Sequence, residues 1–271
     1  MVVERFESAL WETSSLLLAD GGEAVLVDPA VSVEEVARIA ARAAELGTRV
    51  THVLATHADW DHVCGIAAFP EATAMTSEAT AARLAARAAD ATVAERAARS
   101  GVAIVGEPRV DRTFAPGSAL QVGPFLVETL ALAGHTPDGV AYRVRELDVL
   151  AVGDHLSAVE FPFATSTAAY RATLAGLLDL LRRDPPGRVV PGHGPELSAS
   201  EAVAIAEADL DYLWALNVAA RGSSTRDEAR EAALAVPLPR RAAEDLEEDA
   251  RAWNAEMAIA EVLGPGEVSA A

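Results

Sequence analysis

The chain has 271 residues and combines 22 basic with 41 acidic side chains, which gives a formal net charge of −19 at pH 7. Every basic residue is arginine, so mechanisms that depend on a lysine, such as Schiff-base formation, are excluded. A strongly acidic protein repels polyanions unless it carries a local basic patch, and the sequence shows no such patch. We therefore expect a small-molecule substrate and no binding to nucleic acid or to a membrane. A homodimer is a possible assembly.

The cysteine and apolar content predict the compartment. Cys64 is the single cysteine, so no internal disulfide can form, and no basic segment followed by an apolar run suggests a signal peptide. The longest apolar runs fall far short of the ~20 residues that a membrane-spanning helix needs. We therefore expect a cytoplasmic globular protein in which Cys64 is a small packed residue.

The predicted elements alternate between short strands and helices. In the first part of the chain, residue composition and apolar spacing predict strands at 14–19 and 23–27, a helix at 33–46, a strand at 49–55 and a helical segment at 77–100. The second part predicts strands at 103–105, 119–122, 125–131, 140–145 and 149–152, a helix at 167–181, a strand at 188–190, and helices from 198 onward with breaks near 222–224 and 237–239. Two blocks of strands, each followed by helices, predict a layered α/β domain.

Histidine and aspartate residues cluster where predicted strands end. In segment 56–62, His57, Asp59 and Asp61 alternate, so an extended backbone would point all three to one side, and His62 follows at once. Three further segments place a histidine or aspartate beside a glycine after a strand: Gly134-His135, Gly153-Asp154 and Gly192-His193. Imidazoles and carboxylates are suitable ligands for zinc, manganese or iron. The sequence therefore predicts a metal site at one edge of a sheet core.

In their order along the chain, these motifs resemble those of the metallo-β-lactamase-fold superfamily, in particular its glyoxalase-II-like and lactonase-like branch. An Asp28 at the end of an earlier apolar strand fits the same pattern, and the resemblance covers about residues 13–195. It implies an α/β fold, a four-layer αββα sandwich with the metal site at the shared edge of two sheets. We expect one domain over 1–271, with the sandwich core at about 1–197, a helical insertion at 77–100 and C-terminal helices at about 198–271.

The resemblance also implies two divalent metal ions, with zinc expected first and iron or manganese as alternatives. The implied ligands are His57, Asp59 and His135 for the first ion, Asp61, His62 and His193 for the second, and Asp154 as a bridge. Asp28 would orient the ligand loop without touching metal, or would cap the turn before Pro29.

Asp59 departs from the common pattern of this superfamily, which has a second histidine at that position. The substitution adds one negative charge to the ligand set. We therefore expect a centre that is less positive than usual, a more basic metal-bound water and a preference for harder ions. Because aspartate is shorter than histidine, the first ion would have to move, bind through water or be absent.

Three functions are compatible with these residues. The leading interpretation is a metal-dependent hydrolase in which a metal-bound hydroxide cleaves an ester, thioester or lactone, with the catalytic residue Asp61 orienting the nucleophile and carrying a proton. The sequence has no basic cluster like the one with which glyoxalase II binds glutathione. The alternatives are a mononuclear non-haem iron dioxygenase of the persulfide dioxygenase type, with His57, His135 and Asp154 as its ligands, and a non-catalytic metal-binding member of the fold.

Other residues near the motifs are candidates for the walls of the substrate pocket. Trp60 and the segment 161–163 are the expected walls, with core packing as the alternative for one of the two phenylalanines. His155 should point away from Asp154 because neighbours on a strand face opposite sides, and His52 should be a packed or surface residue. The remaining candidates are substrate contacts at Tyr170, Arg171 and Tyr212, and ion pairs with carboxylates at Arg143 and Arg145.

Overall fold

Two β-sheets form the centre of the protein. The computed structural model describes residues 1–87, 91–240 and 244–264. The first sheet contains the strands β1 Val2–Glu7, β2 Ser14–Asp20, β3 Glu23–Val27, β4 Arg49–Leu54, β5 Thr73–Ser77 and β6 Arg112–Phe114, in sequential order. The second contains β7 Ala119–Val122, β8 Phe125–Ala131, β9 Val140–Val144, β10 Val149–Ala151 and β11 Arg188–Val190, in the order β11-β10-β9-β8-β7.

Helices cover the outer faces of both sheets. They are α1 Val33–Glu45, α2 Trp60–Val63, α3 Glu78–Arg87, α4 Val93–Arg99, α5 Thr167–Arg183, α6 Ala199–Arg221, α7 Arg226–Leu234 and α8 Glu244–Leu263, with short 3₁₀ turns at Ile66–Ala68 and Arg145–Leu147. Capping boxes define where α1, α4, α6 and α7 begin. In each, the hydroxyl of a Ser or Thr cap accepts a hydrogen bond from the backbone N–H of a glutamate three residues later, and the carboxylate of that glutamate accepts from the backbone N–H of the cap. Within the described ranges, every helix is too short or too polar to span a bilayer.

Strand alternation divides the core into three apolar layers. On β2, Leu16 and Leu18 face the second sheet, where they pack with side chains such as Tyr142, whereas Leu17 faces α1. On the other side of the molecule, Leu150 of β10 packs against the helices α5 and α6. The four-layer αββα sandwich is therefore confirmed.

Several strands end at one common edge of the sandwich. β3 and β4 run parallel, as do β10 and β11, so their carboxyl ends lie together. Backbone hydrogen bonds join the two sheets there: the Ser14 N–H donates to the Gly192 carbonyl over 2.6 Å, and the Val140 N–H donates to the Thr56 carbonyl over 2.8 Å. The loops that leave this edge carry the predicted ligand residues.

The structure corrects several of the predicted elements. Strands β1, β5 and β6 were not expected, and residues 103–105 do not form a strand. Ile104 instead packs, half-buried, against the outer layer of the first sheet, which satisfies its apolar side chain without strand pairing. The helical insertion is two helices, α3 and α4, and residues 88–90 between them lie outside the described ranges. The C-terminal helices occur as expected, with residues 241–243 and 265–271 outside the described ranges.

Candidate metal centre

All seven predicted ligand residues converge at the shared edge of the sheets. Their side-chain donor atoms form two clusters, each with its atoms within 4.8 Å of one another: His57, Asp59, His135 and Asp154 in the first, and Asp61, His62 and His193 in the second. The loop after β4 and helix α2 supply four of these residues, and the loops after β8, β10 and β11 supply one each.

Asp154 lies between the two clusters. Its Oδ2 atom is 3.4 Å from His57 Nε2 and 3.0 Å from His135 Nε2, and its Oδ1 atom is 3.0 Å from His62 Nε2. Oδ2 also lies 3.4 Å from His193 Nε2. One carboxylate therefore reaches both clusters, which is the position that a bridging ligand requires. Gly192 leaves the space for it, because a Cβ atom there would overlap Asp154 Oδ1.

The four imidazoles are oriented through their Nδ1 atoms. His135 Nδ1 donates to the Phe163 carbonyl over 2.8 Å, and His193 Nδ1 donates to the Trp11 carbonyl over 2.9 Å. A carbonyl can only accept, so these Nδ1 atoms carry a proton, and in the neutral form of each ring the lone pair of Nε2 is directed at the centre. No signal in the sequence marked these partners, because every residue has a backbone carbonyl.

Asp28 sets the other two imidazoles. Its carboxylate accepts from the Thr56 N–H (2.7 Å), from the Thr56 hydroxyl (2.5 Å) and from His62 Nδ1 (2.9 Å). Because the Thr56 hydroxyl donates to Asp28, it accepts from His57 Nδ1, which is 3.0 Å away. Asp28 is buried and orients the ligand loop without joining either cluster, as expected, and Thr56 is a partner that was not predicted from the sequence.

The donor chemistry fits metal ions. His57 Nε2 and Asp154 Oδ1 are buried and have no hydrogen-bond partner among the residues that the structure describes. Burial lowers the pKa of His62, but the negative charges of Asp154 and Asp61 outweigh burial and hold this pKa well above its usual value. Burial also opposes protonation of His193, but Asp154 and Glu160 raise the pKa of His193 to about 9. A cluster that favours positive charge this strongly, with lone pairs directed inward, suits divalent cations.

The two carboxylate oxygens of Asp59 face different groups, the metal-binding cluster on one side and helix α3 on the other. Oδ2 faces the first cluster, 3.3 Å from His135 Nε2 and 3.5 Å from His57 Nε2. Oδ1 faces helix α3, where it is 2.9 Å from Arg83 Nη2 and 2.5 Å from Arg87 Nη1. These arginines offset the extra negative charge that the sequence suggested for this centre. Their spacing of four residues in a predicted helical insertion was the available signal, and it was not used in predicting the site.

A cleft of about 360 Å³ opens onto the centre. Its aromatic walls include Trp60 and Phe163, as expected, together with Trp11, which makes an edge-to-face contact with Trp60 at 5.7 Å. Phe161 lines the cleft but is buried against Tyr212, so it mainly serves the core. Two carboxylates outside the ligand clusters, Glu160 and Asp249, also line the cleft, and its described lining includes no arginine.

The C-terminal helix α8 supports one side of the cleft. Trp253 stacks on Phe163 with ring centroids 5.7 Å apart, and its indole N–H donates to the Ala164 carbonyl over 2.8 Å. The buried Asn254 accepts from the Ala164 N–H over 2.9 Å and donates to the Pro162 carbonyl. Helix α8 therefore fixes segment 161–164, whose Phe163 carbonyl orients His135.

The remaining candidates have structural roles. His155 is buried beside Tyr170, away from the clusters, and burial lowers its pKa to about 3. The Tyr170 hydroxyl donates to the Asp154 carbonyl over 2.9 Å and so steadies the loop of that ligand. The other candidates also contact protein side chains. His52 lies beside Thr51, and Arg171 lies over the ring of Trp214. Ion pairs join Arg143 to Asp148 and Asp184, and Arg145 to Glu128 and Asp184. Cys64 is buried, which raises the pKa of its thiol to about 12.

Comparison with known proteins defines the class. The family model of the Metallo-beta-lactamase superfamily matches residues 9–193, and the chain belongs to this superfamily. Hydroxyacylglutathione hydrolase of Acidiphilium cryptum is 31% identical over 235 residues, which cover 85% of this chain and 81% of that protein.

Solved structures agree on the fold. A metallo-beta-lactamase family protein from Thermus thermophilus, TTHA1429, superposes with a TM-score of 0.67 at 21% identity, covering 97% of this chain and 92% of that chain. TTHA1623, solved in a di-iron-bound form, superposes with a TM-score of 0.57 at 26% identity, covering 73% of this chain and 96% of that chain. The relatives therefore support a metal-dependent hydrolase, and the two clusters are the candidate metal-binding groups.

Proposed function

We propose that this protein hydrolyses a thioester, ester or lactone of a small molecule at a centre that holds two divalent metal ions. The observation that carries the proposal is the pair of clusters joined by Asp154. This pair lies at the base of a cleft that is large enough for a small-molecule substrate. The likeness to a hydroxyacylglutathione hydrolase supports thioesters as the first substrates to test. The likeness to a di-iron protein supports two ions and makes iron a candidate beside zinc and manganese.

Each group in the centre has a task that its geometry permits. Metal ions bound there would lower the pKa of a coordinated water and polarise the carbonyl oxygen under attack. Asp61 lines both the second cluster and the cleft, with Oδ2 3.5 Å from His193 Nε2. It can therefore take a proton from the attacking water at Oδ2 and pass it to the leaving group. The aromatic walls exclude water from the acyl group.

The cleft lining favours a particular class of substrate. Trp11, Trp60 and Phe163 offer apolar surface to an acyl or aromatic group, and Glu160 and Asp249 add negative charge beside it. This lining opposes a leaving group that carries several carboxylates, such as glutathione, and suits a neutral or cationic one. The substrates we propose are therefore apolar or aromatic acyl thioesters and esters without anionic leaving groups.

The experiment combines elemental analysis with a hydrolysis panel. Protein loaded with zinc, iron or manganese is expected to hold two ions per chain and to cleave neutral aromatic thioesters faster than glutathione thioesters. The variant His193→Gln should lose metal and activity, whereas His52→Gln, a histidine outside the clusters, should keep both. Failure of every loaded form to cleave any thioester, ester or lactone would contradict the proposal. One iron per chain with oxygen consumption on a persulfide would favour the dioxygenase instead.

A further inference from the structure

We propose that Arg83 and Arg87 are positioning residues that make Asp59 act as a one-oxygen, charge-neutralised metal ligand in place of a histidine. The inference rests on the metal centre of the proposed function. The guanidinium groups occupy one carboxylate oxygen of Asp59 and leave the other for the first cluster. Helix α3 of the insertion thereby becomes part of the construction of the centre.

The contacts of Asp59 divide cleanly between its two oxygens. Oδ1 lies 2.9 Å from Arg83 Nη2 and 2.5 Å from Arg87 Nη1. Oδ2 lies 3.5 Å from His57 Nε2 and 3.3 Å from His135 Nε2. A free carboxylate can offer both oxygens to a metal ion or rotate between them. Oδ1 is held by a charge-assisted hydrogen bond from Arg87 and an ion pair with Arg83, so only Oδ2 is available to a metal ion. An imidazole at this position would likewise offer only one nitrogen.

The arginines are themselves held by the ligand loop. Arg83 Nη1 is 2.9 Å from Oδ1 of the buried Asp138, and Asp138 Oδ2 accepts from the Ala58 N–H over 2.8 Å. Arg87 Nη1 also donates to the Ala58 carbonyl over 3.2 Å. Both peptide groups of Ala58, which lies between His57 and Asp59, are therefore fixed by the same network. An ordinary surface ion pair would not share its partners with the backbone of the ligand loop.

The network is electrically neutral as a unit. The carboxylates of Asp59 and Asp138 cancel the guanidinium groups of Arg83 and Arg87 in formal charge. A neutral imidazole at position 59 would contribute the same net charge. The four side chains therefore give the centre the overall charge of a superfamily member with histidine there, and the more basic metal-bound water expected from the sequence alone is not required.

A double-mutant cycle tests the proposal through metal binding. The zinc dissociation constant would be measured by chelator competition for the wild type, Arg87→Gln, Asp59→Ala and the double variant. Direct repulsion between a guanidinium and a bound cation acts whether Asp59 is present or not, so it cancels in the cycle. We expect Arg87→Gln to weaken zinc binding about 10-fold more when Asp59 is present than in the Asp59→Ala background, the size typical of partners that orient metal ligands.

Two further variants separate positioning from folding. Arg87→Lys keeps the charge and one donor nitrogen, so it should recover part of the coupling. Arg99→Gln, on the exposed face of α4, should leave the dissociation constant unchanged. The proposal would be overturned if Arg87→Gln changed the zinc dissociation constant equally with and without Asp59. It would also be overturned if the metal-free Arg87→Gln variant lost enough thermal stability to account for the whole change in zinc binding. Because the assay uses zinc alone, absence of hydrolysis would contradict the proposed function without affecting this result.

Discussion

Replacing Asp28 with asparagine would separate the charge of this side chain from its shape. Asp28 accepts three hydrogen bonds, one at Oδ1 and two at Oδ2, from Thr56 and His62. An asparagine amide has one acceptor oxygen, so its NH2 group must face a donor in either orientation. At best one buried donor is left without a partner, which costs about 1–3 kcal/mol of stability. The positive φ of 48° at this position is no obstacle, because asparagine tolerates it.

The larger effect should be on metal binding. To relieve the conflict, His62 can move its proton from Nδ1 to Nε2, and it then loses the lone pair directed at the second cluster. We expect Asp28→Asn to weaken metal binding by about 10–100-fold, measured by chelator competition, together with a lower free energy of unfolding in urea. The matched control for metal binding is Asp148→Asn, at an exposed aspartate far from the centre with a similar φ of 53°, which should leave the affinity unchanged. Unchanged affinity in Asp28→Asn would refute the reasoning.

Three other predictions concern the surroundings of the centre. Arg240→Met removes the guanidinium that donates to both carboxylate oxygens of the buried Asp209, over 2.6 and 2.8 Å. This variant should lower the free energy of unfolding in urea by about 3–5 kcal/mol, and an unchanged midpoint would contradict this. Asn254→Ala should speed amide exchange in segment 161–164 and weaken zinc binding through His135, with exchange in the distant helix α1 as the internal control. Since the pKa of His193 is raised to about 9, its proton stabilises the metal-free fold fully below about pH 6.5. That stability should be lost as the pH rises through about 9, and metal-free unfolding free energies that do not fall over this range would disprove it.

The sequence predicts which side chains meet at the candidate centre, because their chemistry lies in the side chains themselves. His57, His135 and Asp154 stand beside turns after apolar strands, and residue type and position together restrict what they can do. The sheet architecture followed from the order of these motifs. The edge strand β1 was missed because it carries charged residues and is only half-buried, which weakens the apolar signal.

The supports of the centre were harder to predict. The carbonyl groups of Trp11 and Phe163 orient two histidines, but any residue has a carbonyl, so nothing in the amino-acid type marks them. Arg83 and Arg87 could have been found only by knowing that α3 folds back over the ligand loop. Partners of this kind depend on tertiary placement, and one sequence shows only the spacing that makes such placement feasible.

Helix α8 has a consequence for how substrate preference could diverge among related chains. It lines the cleft with Asp249 and Ala250, and its Trp253 stacks on Phe163 of the wall. Through Asn254 it also holds the segment whose carbonyl orients His135. An exchange or remodelling of this helix that suits a new acyl group would therefore alter metal retention at the same time. Trp60 on the opposite wall contacts Trp11, whose carbonyl orients His193, so the α2 side of the cleft is coupled to the centre as well. Substrate range should thus diverge together with metal affinity on both sides of the cleft.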